Sequence, residues 1–102
     1  MTSFSYEQLA SRLATRPGVT AGKMFGMPTL KIGSKAFAGN VGGAMVFKLS
    51  GNAHVQALTI PGAQLFDPMG GRPMKEWVVV PASQSAQWPT LANAAMEYCS
   101  AG

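Results

Sequence analysis

Residues 28–49 read PTLKIGSKAFAGNVGGAMVFKL, and this stretch decides the fold. Gly33-Ser34 separates two short runs, LKI and KAF. Two such residues between strand-like runs signal a β-hairpin, with glycine at the first central position of a type II′ turn. That register sets Leu30 opposite Phe37, Ile32 opposite Lys35, and Lys31 opposite Ala36. Gly42-Gly43 then punctuates the chain. In AMVFKL, Met45, Phe47 and Leu49 alternate with Ala44, Val46 and Lys48, the period of a half-buried strand. Together these runs predict a three-stranded antiparallel meander over about residues 28–49.

Upstream, Ser5 and Gln8 have the spacing of a capping box, with Phe4 and Leu9 at the staple positions. Tyr6, Leu9, Ala10 and Leu13 form one apolar stripe, and Pro17-Gly18 stops the predicted helix. Arg12 and Arg16 fall near its C-terminal end, where the helix dipole favours cations. Residues 20–27, TAGKMFGM, are expected as one extended piece, broken or bulged at Gly22 and Gly26. Downstream, a short helix over about residues 52–58 is expected to turn Val55 and Leu58 inward, and Pro61-Gly62 ends it. AQLF reads as a short strand and KEWVVVP as a longer one. From about Ser85 to Ser100 a last helix is predicted. In it Trp88, Leu91, Ala92, Ala95, Met96 and Cys99 recur at helical spacing, with Pro89 in the first turn. The expected fold class is α+β: a curved antiparallel sheet, the meander plus further strands, flanked by N-terminal and C-terminal helices. At 102 residues the whole chain, 1–102, is expected to be a single domain.

Composition excludes several chemistries. One His and one Cys cannot build a zinc cluster. The four acids, Glu7, Asp67, Glu76 and Glu97, are scattered, where a hard-cation site wants several together. No G-x-S-x-G elbow presents a serine. MGGRPMK lacks the lysine–serine pair of a phosphate loop and leads into a strand, so DPMGGRPMKEW (67–77) reads as a connector. His54 is expected on the surface and Cys99 as a buried, inert thiol. The reading is therefore not an enzyme, with no catalytic, metal or cofactor site. A single cysteine, no secretory pattern in MTSFSYEQLASRL and no stretch apolar enough to span a membrane point to the cytoplasm.

The net charge is +4, and Lys23, Lys31, Lys35, Lys48, Arg72 and Lys75 crowd the middle block against Asp67 alone. Lys31, Lys35, Lys48, Arg72 and Lys75 are the candidate phosphate or partner contacts. In WVVV, alternation sends Trp77 and Val79 one way and Val78 and Val80 the other. A strand apolar on both faces wants cover on both, which predicts a homodimer. Met24, Phe25, Trp77 and Val79 are the candidate dimer or core contacts.

Taken in order, KMFGMPTLKIGSKAFAG (23–39), VFKL (46–49), PGA (61–63), FDPMGGRPMKEWVVVP (66–81) and Trp88 resemble the N-terminal domain of the bacterial TfoX/Sxy family. The broader MmcQ/YjbR-like proteins have a similar topology. This resemblance spans roughly residues 17–98. It departs where many members carry a glycine–aromatic pair and this chain has Met27-Pro28. It implies an α+β fold, often homodimeric, with no catalytic residues and a regulatory or interaction role toward a protein partner. The alternative is a nucleic-acid-binding domain that uses a basic sheet face and loop.

Overall fold

A computed structural model describes residues 6–24, 27–41, 43–67, 70–71 and 74–101. The described chain runs α1 (Tyr6–Leu13), β1 (Val19–Met24), β2 (Met27–Ile32), β3 (Lys35–Val41) and β4 (Ala44–Lys48). Then come α2 (Gly51–Leu58), β5 (Gln64–Phe66), β6 (Met74–Val80), a 3-10 segment over Ala82–Gln87, and α3 (Trp88–Ala101). One open antiparallel sheet holds all six strands in the order β1-β2-β3-β4-β6-β5. The α+β class is as the sequence predicts.

The meander is longer than expected. Residues 20–27 are not one extended piece: Met24 pairs with Met27, so β1 folds back on β2 and the antiparallel run has four strands. Only two residues separate that pair, the commonest hairpin length. Gly33 has a φ of 61°, the left-handed value its turn requires. The register beyond it is also corrected. Lys31 does face Ala36 and Ile32 faces Lys35, but Leu30 faces Ala38. Phe37 is thus an extra residue, a β-bulge. The bulge lets the adjacent Phe37 and Ala38 both enter the same buried cluster and bends the strand over it.

Two apolar clusters lie on the two faces of the sheet. The first joins Leu30, Phe37, Met45, Phe47, Val78 and Val80 to Leu9 and Leu13 of α1, Ala57 of α2 and the stripe of α3. Trp88, Leu91, Ala92, Ala95, Met96 and Cys99 are all buried there, so the helical spacing reads through directly. The Trp88 Nε1–H donates to the Val80 carbonyl at 3.3 Å and pins the start of α3 to the end of β6. After a break in helical geometry at Gln84 the chain continues as 3-10 helix through Gln87, and the α-helix expected from about Ser85 begins at Trp88. The second cluster is Met27, Val46, Phe66 and Trp77, with Ala36, Val41, Met74 and Val79 half-buried around it. Among the described residues, no helix contributes a buried side chain to it.

α2 is rotated from its expected setting. Ala57 is buried and Ala53 packs against the first cluster, whereas Val55 is 62% exposed and Leu58 37%. Alanines four apart lie on one helix face, and their small size lets the helix sit close on β6. Val55 falls between those two positions and is turned outward. Ser5 and Phe4, which set the expected cap of α1, lie outside the described residues.

Candidate interaction surfaces

The four basic candidates among the described residues, Lys31, Lys35, Lys48 and Lys75, do not share one face. Lys31 is half-buried, and its Cε lies 3.5 Å from where a Cβ of Gly22 would sit, so it leans across β2 onto β1. Lys48 is not a free solvated charge: its Nζ lies 3.9 Å from Glu76 Oε1. Glu76 also accepts a hydrogen bond from the Tyr98 hydroxyl. That bond is the main reason the Tyr98 pKa is raised. Burial lifts the Cys99 thiol above its ordinary value, against the opposing pull of Lys48 and Lys35. Lys35 and Lys48 therefore both act near the C-terminal end of α3, away from the seam where Lys31 lies. Lys75 is exposed, and its carbonyl accepts from His54 Nε2 at 2.6 Å. His54 is thus a half-buried tie between α2 and β6 and not the solvated surface residue expected. Arg72, Phe25 and the Met24 side chain lie outside the described residues.

Cys99 is buried as expected, and its thiol donates to the Ala36 carbonyl at 3.6 Å. The loop after β5 is closed by its own acid. Asp67 Oδ1 accepts from the amides of Gly70 at 2.8 Å and Gly71 at 3.0 Å. Gly70 has a φ of 70°. Two amides that could face an anion are occupied by a carboxylate of the chain, which fits the connector reading.

Trp77 is 6% exposed within a single chain. It belongs to one buried cluster with Met27, Val46 and Phe66, and Val79 is half-buried against that cluster. The two-sided WVVV strand therefore finds most of its cover in cis, in a cluster that joins side chains of β2, β4, β5 and β6.

Two surface features were not legible in the sequence. A groove of about 480 Å³ runs between α2 and α3, with Ala53, Ala57, Ile60, Pro61, Leu91 and Ala94 along it. Its lining carries no charged residue. Val55 and Leu58 stand exposed on the same helix. Their exposure follows from the position of Ala53 and Ala57, a small-residue signal that the larger aliphatics mask. The second is a cleft of about 390 Å³ where α1 meets α3, lined by Arg12, Thr15, Arg16 and Asn93 over Leu9, Leu13 and Pro89. There Arg16 Nη2 donates to Asn93 Oδ1 at 3.0 Å. Sequence spacing ties those arginines to the helix dipole and gives no hint of Asn93, 77 residues away.

Comparison with protein-family models, curated proteins and solved structures returns no match.

Proposed function

We propose that this domain is a non-enzymatic regulatory or interaction module of the cytoplasm, working through self-association or a protein partner. This is the role that the TfoX/Sxy resemblance implies. The observation that carries it is the exposed aliphatic pair Val55 and Leu58 on α2, the helix whose other side walls the uncharged groove against α3. The chain has a net charge of +4. Two copies meeting through a charged face would bring like charges together. Through the α2–α3 surface they bury aliphatic area without that cost.

The test is light-scattering chromatography at tens of micromolar. The wild-type chain should elute near twice 10.7 kDa. A Val55→Ser/Leu58→Ser variant should elute as the monomer with an unchanged far-UV spectrum, since neither side chain is needed inside. A monomeric wild type that also captures no partner through this surface sinks the proposal. Duplex binding that falls steeply with salt would replace it with the nucleic-acid reading.

A further inference from the structure

The free edge of the sheet points to a different contact. β1 is one edge, six residues long, against three in β5 at the other. In the β1–β2 ladder the Gly33 amide donates to the Gly18 carbonyl at 3.0 Å, across a directly opposed pair. Antiparallel pairs alternate between hydrogen-bonded and non-hydrogen-bonded. Thr20, Gly22 and Met24 therefore turn their backbone groups toward β2, while Val19, Ala21 and Lys23 turn theirs outward. Pro28 confirms this phase: it faces Lys23, at a position where β1 asks for no N–H. The Val19 amide is taken by the Arg16 carbonyl at 3.3 Å. Among the described residues, what remains for a partner is the Val19 carbonyl and both backbone groups of Ala21 and Lys23, with Thr20, Ala21 and Lys23 exposed.

Charge selects the occupant. Lys23 is on the edge strand itself, and Lys31 Nζ lies 3.8 Å from the missing Cβ of Gly22. A second copy pairing with this edge in the outward register would set Gly22 against Gly22 and Ala21 against Lys23. That gathers four lysines at one seam, and edge lysines are a common device against such pairing. An acidic strand turns the same lysines into attraction. We propose that β1 accepts an extended acidic peptide segment of a partner protein as an added strand. Main-chain bonds run to Ala21 and Lys23, one carboxylate sits opposite Gly22 against Lys31, and a second sits opposite Lys23. Gly22 has no side chain, and the Lys31 side chain lies over it with its ammonium 3.8 Å from the Cβ position, so the first carboxylate meets that charge beside Gly22.

This inference rests on the interaction-module reading but uses a separate surface, so the two fail separately. A fluorescent peptide, acetyl-Thr-Val-Glu-Glu-Val-Thr-amide, is titrated by anisotropy and followed by backbone amide shifts. Expected are binding with the largest shifts at Ala21 and Lys23, no binding of the Lys-Lys analogue, and at least tenfold weaker binding of an acidic peptide N-methylated on the amides facing the edge. Ala21→Pro removes an outward N–H without touching a β1–β2 bond and should weaken the parent peptide equally. Lys31→Glu should reverse the preference between the two charged peptides. Equal binding of parent and N-methylated peptides, or shifts centred elsewhere, overturns the proposal even if Ala21→Pro fails to fold. So does self-association that Ala21→Pro abolishes, because the occupant is then a second copy. A wild type that never dimerises but binds the peptide, with binding unchanged in Val55→Ser/Leu58→Ser, leaves this inference standing and removes the α2–α3 contact.

Discussion

The two faces of the sheet bury their side chains by different means. On one, Phe37, Met45, Phe47, Val78 and Val80 lie under three helices, and the α3 stripe fits down onto them. On the other, Met27, Val46, Phe66 and Trp77 form a buried cluster to which no helix among the described residues adds a buried side chain. There Met27 reaches across β3 at Gly39: its Cε lies 2.9 Å from where a Gly39 Cβ would sit, and Val46 Cγ2 lies at 3.3 Å. A sheet bent by the β3 bulge can roll large side chains over a glycine and close its own second face. An apolar strand such as WVVV is then a weaker sign of a second subunit than alternation alone suggests.

The difference predicts unequal costs. Phe47→Ala should lose about 3–5 kcal/mol, because three helices hold the cavity open. Trp77→Ala should fall at or below the bottom of that range, since among the described residues no helix packs a buried side chain onto that face and the cluster can settle into the space. Urea unfolding of both variants measures this. A Trp77→Ala loss as large as that of Phe47→Ala would show that the second face is as rigidly packed as the first.

Gly39→Ala sharpens the same point on a smaller scale. The new methyl must displace the end of Met27, a flexible side chain, and press on Val46, for a loss of about 1 kcal/mol. In a Met27→Ala background the Gly39 substitution should cost less than half as much. Additive losses would mean that the Met27 side chain does not cross Gly39.

The covered face was largely written in the sequence, and the other was not. The α3 stripe and the β4 alternation each predict burial by period alone. The Phe37 bulge escapes such reading because it breaks the period it sits in. Alternation in WVVV separates its two faces correctly but cannot say what buries Trp77, because its cluster partners come from other strands, whose order the alternation does not give. For α2, the aliphatic pair Val55 and Leu58 outweighs Ala53 and Ala57 on any hydrophobicity count, yet close packing on β6 favours the alanines. The interaction surfaces were less legible still. The lysines were visible as a block, but whether one is bound to Glu76 or leans over Gly22 is decided by strand order.

Titration probes the covered face at its rim. The Cys99 thiol and the Tyr98 phenol both have raised folded-state values, from burial and from the Glu76 bond respectively. A raised value means that the folded state holds its proton longer than the unfolded chain. Their contribution to stability should therefore be present in full below about pH 8 and be lost as pH rises through the alkaline range. Cys99→Ala should make that decline shallower, and iodoacetamide should label the native thiol only slowly. A decline unchanged in Cys99→Ala would assign it to Tyr98.

The smallest effect lies where the two faces meet. Lys48 stands opposite Trp77 in the β4–β6 register, Tyr98 packs against the helix-covered cluster, and Glu76 reaches both. The Lys48 and Glu76 side chains are 30% and 49% exposed, and their charges are 3.9 Å apart. Water screens such a pair, and its coupling should be about 0.2–1 kcal/mol, at the lower end here. A double-mutant cycle with Lys48→Ala and Glu76→Ala reads it directly, and 1 M salt should erase it. Tyr98→Phe removes the neutral donor and leaves the ion pair, so its loss should persist in salt. A salt-resistant Lys48–Glu76 coupling above about 1 kcal/mol would mean that the seam is shielded from water. Glu76 would then be a clamp joining the two faces, not a surface charge shared between them.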